Sequence, residues 1–502
     1  MKKTCLLITG TNPGAQVQVP VGLIYLGSQL KKFGYPVEIF HVTDKKKLKI
    51  CKEKICSQDY LFVGFSVWMG PTSLDMIELS QTAKKRGIPT IWGGKFITSL
   101  KVDTLTEDNV DIAVMGYAEE TIVDLADCFS SEGDLSKVAG IYYRDQNGSV
   151  IKTKDRQVAK TDLDNYEYDL SLIPDWSVYI VKPKSERIIF DPLESQRGCL
   201  FRCRFCFHSD DTVYSESARK ILNSHSVDFI INKAKELKAL TGVKKISFCD
   251  DEFWIAEDRS LEIIERLKEI GIEVVFIRIR FTSLNDNMLK KLAALSVSAI
   301  ACGLESGNAR ILKMMNKGLT LDVVKEKMRL LAQYPIIVNT VIIVGNPTET
   351  KDEMLDSIRF MLSLRKIKRN VNLLTFFYRP LPSTDFGKIA EECGFQRPRN
   401  VREWVNVAAE NIFNIGHQWL PWYNEREKQN MKIKDDFFAL NDILVEQLYG
   451  LKSKRLTTKI LWPILYFVER ITFARIYYWD FRFPIDVKIG MLIYAIYKLI
   501  KK

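Results

Sequence analysis

No disulfide framework can be read from this sequence, because its ten cysteines fall at irregular spacings along 502 residues. The opening residues, MKKTCLLITGTNPG, lack the sustained apolar stretch and small-residue cleavage site of a secretory leader, so a reducing, cytoplasmic location is expected. No run of 18 or more apolar residues occurs in the basic, aromatic segment 452–502, where Glu469, Arg470, Arg475, Asp480, Arg482, Asp486 and Lys488 interrupt it. A membrane-spanning helix is therefore not expected there. That segment also holds eleven Lys/Arg against three acids, or +8 of the chain's formal +11. The rest is nearly balanced, which argues against a nucleic-acid groove through the body of the protein. With 46% apolar residues the chain can bury more than one core, since single cores stop growing near about 250–300 residues.

Residues 1–150 alternate short apolar strands (5–10, 37–42, 60–67, 90–94 and 112–116) with amphipathic stretches, among them GLIYLGSQLKKFG, TSLDMIELSQTAKKRG and a short TLTEDN. This alternation predicts an α/β, doubly wound, Rossmann-like parallel sheet that takes its ligand at the carboxyl ends of the strands. That edge carries Asn12, Ser66, Met69, Gly93, Gly94, Gly116 and Glu119. GIYYRDQNGSVIK predicts a β-hairpin around Asn147-Gly148, and residues 151–186 a charged linker. The alternation resumes at 187, with strands at 187–193, 244–251, 273–281, 299–306, 336–345 and 371–380. Six β-α units over 187–385 predict a partial TIM-like barrel, followed by a mainly helical region over 386–502.

Just after the first of these strands, RGCLFRCRFCFHS places Cys199, Cys203 and Cys206 in a C-x3-C-x2-C array, with His208 two residues on. A Cys3His zinc site uses these donor types, although structural zinc usually draws ligands from two knuckles well apart in sequence. The alternative is a 4Fe-4S cluster, in which three thiolates leave one iron open to a substrate or cofactor.

The same residues resemble the signature of the radical S-adenosylmethionine (SAM) enzymes, with Phe205 in the aromatic place before the last cysteine. The resemblance implies that the open iron chelates SAM and that a low-potential electron cleaves it to a 5′-deoxyadenosyl radical. It extends to FCDDEFW, where Asp250 and Asp251 match groups that meet the SAM amino group; a helix N-cap is the other reading of that pair. Glu305 in GLESG, upstream of MNKGLT, is similar to a polar SAM contact, with a barrel-mouth salt bridge as its alternative. Arg278 and Arg280 are candidates for the SAM carboxylate or ribose, and Cys249 and Cys302 for strand packing. VGNPTET, beginning near Gly345, resembles G-x-P-G-E-T with Thr348 in place of a glycine, and LPSTDF resembles P-x-P-G-T with Ser383 likewise.

A doubly wound domain ahead of such a barrel resembles the cobalamin-binding subfamily, on the stretches PVGLIYLGSQLKKFGYPVEIF, VGFSVWMGPT, IPTIWGGKF and VDIAVMGYAEET. That implies a corrinoid between the domains. No Asp-x-His-x-x-Gly motif occurs, and His41 ends a strand in another context, so cobalamin is expected to bind without a protein histidine ligand. The resemblance implies a C-methyltransferase that uses a second SAM to remethylate the corrinoid; a cyclase, oxidase or rearrangement enzyme with the same cofactors is the alternative. A non-catalytic zinc or iron-sulfur scaffold is the alternative from another class. A reducing partner such as flavodoxin or ferredoxin, and a small-molecule or lipid-like substrate, follow from the same resemblance, which includes hopanoid methylases and the oxygen-independent magnesium-protoporphyrin ester cyclase. The tail has two readings: it binds an anionic membrane face peripherally, or Trp462, Tyr466, Phe467 and Phe473 pack on the barrel.

Overall fold

The computed structural model describes residues 2–156, 162–181, 186–209, 223–409, 420–424, 466–468 and 471. Five parallel strands, β1 (Thr4–Gly10), β2 (Val37–Val42), β3 (Tyr60–Ser66), β4 (Thr90–Gly93) and β5 (Ile112–Val114), form the first sheet. An antiparallel pair, β6 (Ile141–Arg144) and β7 (Val150–Lys152), extends it in the order β2-β1-β3-β4-β5-β6-β7. Helices cover both faces, so β1 and β3 are buried almost end to end rather than alternating. The strand order reverses at β1, and the crevice between the ends of β1 and β3 is where such sheets open to ligands.

The predicted TLTEDN helix is displaced. The helix after β4 runs Lys95–Leu100 and continues as a 3-10 turn over Lys101–Thr106, because Gly93-Gly94 releases the chain straight from the strand. Within the predicted 151–186 linker, the described residues 162–181 are more ordered than a free linker. Leu163–Asn165, Leu170–Leu172 and Trp176–Tyr179 form 3-10 turns, each started by an aspartate (Asp162, Asp169, Asp175) that accepts a backbone N–H two residues on. Tyr168 is buried between the domains and donates to Pro192 O at 2.7 Å.

In the second domain β8 (Ile188–Leu193) leads to a two-residue antiparallel pair, β9 (Gln196–Arg197) with β10 (Asn223–Ser224). Parallel strands β11 (Lys245–Phe248), β12 (Glu273–Val274), β13 (Phe276–Arg278), β14 (Ala299–Glu305), β15 (Ile337–Val344) and β16 (Val371–Phe377) complete the barrel wall. The third predicted strand, 273–281, is split into β12 and β13. Val275 stitches the two halves of the wall together, since its N–H bonds to Ile246 O while its carbonyl accepts from Ala299 N–H. Along β14 and β15 burial alternates, with the outward residues sealed under helices and the inward ones only half covered, so the interior is a partly open cavity.

Helices Asp385–Glu392 and Val401–Ala409 follow the barrel, and the second returns to the first domain. Trp404 packs edge-on to Phe96, while Arg397 pairs with Asp103 at 2.7 Å and Arg402 with Glu107 at 3.3 Å. Most of the tail considered for membrane binding, including Trp462 and Phe473, lies outside the described residues. Among the described residues no helix is long and apolar enough to cross a membrane.

Candidate functional site

The three cysteines sit on a loop that leaves β9 and is held by two segments distant in sequence. Arg204 N–H donates to Met315 O at 3.0 Å, and Asn316 Nδ2 to Arg202 O at 2.8 Å, so MNKGLT grips the loop centre. Phe386 N–H donates to Arg204 O at 3.0 Å, and its ring meets Phe205 nearly edge-on, with centroids 6.4 Å apart. Cys203 is buried, while Cys199 and Cys206 are partly exposed. Burial pushes the Cys206 thiol up to about 11, so loading a metal there releases a proton. His208 directs Nε2 at Asp251 Oδ2, 2.9 Å away, rather than toward the thiols. Among the described residues no three His, Cys, Asp or Glu side chains are close enough to share one ion; in a cubane each thiolate binds a different iron.

Around the loop the barrel mouth is crowded with charge. Arg280 lies 3.8 Å from Cys203 Sγ through its guanidinium, stacks 3.6 Å above the Phe201 ring and donates to Lys317 O. Glu305, left-handed at φ 68°, pairs with buried Lys317 at 2.8 Å. Gly303 makes room for this pair, because a Cβ there would stand 2.1 Å from Glu305 Oε1. Glu305 therefore takes the salt-bridge role. Arg278 is also engaged, with Asp191 at 2.9 Å and with Phe248 O.

The two aspartates of FCDDEFW fall in a loop beyond β11. Neither caps a helix, since the next one begins at Glu257 with Ala256 before it. Asp250 turns both oxygens to Ser195, accepting from its N–H at 2.7 Å and from its hydroxyl; burial pushes its carboxyl up to about 7. Asp251 divides its oxygens between His208 and Lys95, the latter at 2.7 Å. Burial alone would raise its pKa, but His208 and Lys95 hold it well below the usual carboxylate range. The free acceptor is on the next residue: Glu252 is buried with Oε1 unpartnered among the described residues, and burial pushes its carboxyl up to about 7 against the attraction of Arg280 and Lys317. The sequence signal was the third acid of the run Asp250-Asp251-Glu252.

Gly345, also left-handed, donates its N–H to Glu349 Oε2 at 2.6 Å, and a Cβ there would approach Leu420 to 3.2 Å. Glu349 also accepts from Asn346 N–H at 3.0 Å. This explains the glutamate of VGNPTET as a loop brace. Cys302 is buried in the wall and Cys249 packs against its core.

The carboxyl edge of the first sheet faces this mouth. Asn12 Oδ1 accepts from Thr72 N–H at 3.0 Å and ties the loop after β1 to the loop after β3, at Gly70, where a Cβ would collide with Asn12 at 2.6 Å. Gly94, at φ 105°, lets the β4 loop approach Val67 O, which a Cβ would meet at 3.3 Å. Gly116 N–H donates to Thr98 Oγ1 at 3.1 Å. Ser66, Met69 and Gly93 are partly exposed along the same edge, and Trp68 is 50% exposed. Glu119 departs from its expected role as an edge ligand: it is buried against Arg197 at 2.6 Å. Arg197 also pairs with Glu194 at 2.5 Å and stacks on the rings of Tyr25 and Tyr117. His41 has both ring nitrogens engaged, with Thr11 at 2.8 Å and Tyr179 at 2.9 Å, in keeping with the absence of a histidine ligand motif.

Known families match both halves of this arrangement. Residues 12–126 match the B12 binding domain, and residues 193–361 the radical SAM superfamily. The chain carries a B12 binding domain followed by a radical SAM domain. An uncharacterized methyltransferase of Pyrococcus horikoshii is 25% identical over 350 residues, 69% of this chain and 73% of that protein. The anaerobic magnesium-protoporphyrin IX monomethyl ester cyclase of a Synechocystis species is 26% identical over 339 residues, 63% of each chain. The radical SAM methyltransferase TsrM of Kitasatospora setae shares the fold, with a TM-score of 0.65 at 16% identity over 79% of each chain.

The residues of the radical SAM and B12 binding domains fit the groups that the two domains imply. Cys203 and Glu252 both sense Arg280, whose Nε is unpartnered among the described residues, and Cys199 and Cys206 lie on the same loop close enough to Cys203 to feel its charge. The glycine-lined edge with its exposed indole fits a large flat ligand.

Proposed function

We propose that this protein is a cobalamin-dependent C-methyltransferase acting on an unactivated carbon of a small-molecule substrate. The observation that carries the reading is the apposition of the first sheet's carboxyl edge to the barrel mouth beside the cysteine loop, through Glu119 to Arg197 and Lys95 to Asp251. When bound, the cluster supplies the electron for SAM cleavage and the corrinoid supplies a methyl carrier. In this reading Cys199, Cys203 and Cys206 hold the cluster, and the Arg280 guanidinium stabilises negative charge at Cys203. Glu252 accepts from the SAM ammonium, a role its free oxygen suits better than Asp250 or Asp251. Asn12, Ser66, Met69, Gly93, Gly94 and Gly116 line the corrinoid, Phe205 supports the cluster loop, and Gly345 and Glu305 shape the barrel mouth.

The half-covered inward face of the barrel receives the substrate and limits water around it. Electrons come from a flavodoxin- or ferredoxin-like donor, and the compartment is the cytoplasm. If the basic tail also binds an anionic membrane face, the full chain floats with acidic liposomes and a chain ending near Gly450 does not; equal behaviour of the two removes that element.

The test of the reaction class is an anaerobic incubation with SAM, a reductant and a small-molecule extract that supplies the acceptor, followed by product analysis against the same mixture without extract. Methyl transfer yields 5′-deoxyadenosine together with S-adenosylhomocysteine. Deoxyadenosine without S-adenosylhomocysteine overturns methyl transfer and favours the cyclase or rearrangement reading.

A further inference from the structure

The cysteine loop is tied to the first domain at both ends, directly at one and through Asp251 of the barrel at the other. Two residues before Cys199, Arg197 is locked to Glu119, three residues beyond Gly116. Two residues after Cys206, buried His208 meets Asp251, whose other oxygen binds Lys95, the residue that follows Gly94. Both links start at the sheet edge that faces the corrinoid and end beside a cluster ligand. They differ in accessibility: the Arg197 link is fully buried, whereas the Lys95 side chain is 48% exposed. A change at Lys95 therefore alters the link without opening a core.

Resting on the cobalamin reading above, we propose that Lys95, Asp251 and His208 form a positioning bridge that couples corrinoid occupancy to the state of the cysteine loop. When the cluster fixes the loop, His208 and Asp251 are held in place, and Asp251 in turn holds Lys95 and the Gly93-Gly94 turn. The edge is then preorganised for the corrinoid. Coupling of this kind is reciprocal, so a bound corrinoid also holds the loop in its cluster-bearing form.

The experiment titrates hydroxocobalamin anaerobically into the full-length wild type, Lys95→Met and Lys95→Arg, each with the cluster reconstituted and after iron chelation. Affinity is read from corrinoid absorbance. The wild type is expected to bind at least about 5-fold more tightly with the cluster present. Lys95→Met brings that ratio to about one, and Lys95→Arg, which keeps the charge, restores most of it. As a second readout, the EPR line shape of the reduced cluster changes on adding hydroxocobalamin in the wild type and not in Lys95→Met. A wild-type ratio of one, or an undiminished ratio in Lys95→Met, overturns the bridge alone. Failure of every form to bind hydroxocobalamin overturns the cobalamin reading and the bridge with it.

Discussion

The two sheets of this protein hide their residues in different ways. In the first domain Leu6, Leu7 and Ile8 of β1 and Phe62 and Val63 of β3 are buried on successive positions, because helices cover both faces. Along β14 and β15 of the barrel alternate residues are sealed, and the inward face of β16 leaves Leu374 38% and Phe376 39% exposed. The first sheet therefore leaves only its edge, with its glycines and the exposed Trp68, open to a ligand, and the second leaves its inner wall unfilled. One architecture stores stability in the strands, and the other keeps a cavity there.

The largest effect that this contrast predicts is at the cysteine loop, which serves chemistry rather than packing. Cys203→Ala abolishes cluster retention and 5′-deoxyadenosine release, while far-UV circular dichroism stays that of the wild type. Packing separates the two sheets next. Phe62→Ala is expected to destabilise the protein by about 3–5 kcal/mol as a core cavity, and Phe376→Ala by under about 1 kcal/mol, as read by denaturant unfolding; equal losses would erase the contrast.

The domain junction has its own signature in pH. His225 is buried, bonded to Tyr25 Oη at 2.6 Å and to Asp164 at 2.8 Å, and burial lowers its pKa to about 4. The unfolded chain, with His near 6.5, binds the proton first. Stability from neutral His225 is thus full above about 6.5 and is lost as pH falls toward about 4, by up to about 3 kcal/mol. His225→Asn should flatten that part of the pH profile of unfolding free energy; an unchanged slope would place the titration elsewhere.

The smallest predicted effect concerns Thr348, a β-branched residue held at φ 65°. Thr348→Gly relieves that strain and should stabilise by about 1 kcal/mol or less, measured as a small rise in Tm.

That position also shows how much the sequence disclosed. Thr348 and Ser383 stand where the resembled motifs carry glycine, and both keep the left-handed backbone that a glycine would take. Ser383 uses its side chain to donate to Ser99 O in the first domain, and Thr348 Oγ1 accepts from Arg310 at 3.2 Å. The motifs were legible because local backbone demands are written in adjacent residues. The first-domain strands were legible for the same reason: continuous apolar runs bounded by small or polar residues. What the sequence hid was contact at long range. Lys95 and Asp251 are 156 positions apart, and nothing near either one announces the other. Asp250 and Glu252 differ in role only because Ser195, from another strand end, satisfies the first and leaves the second with a free oxygen. The split of the third barrel strand at Val275 was invisible too, since it arises from two neighbouring sheets diverging rather than from a breaker in the sequence.

The most direct test of the account is the metal and sulfide content of anaerobically purified protein, read with its electron paramagnetic resonance before and after SAM. The account predicts brown protein with about four iron and four sulfide per chain, a reduced-cluster signal that SAM alters, and loss of all three in Cys203→Ala. Colourless protein carrying one zinc per chain and no sulfide would contradict it.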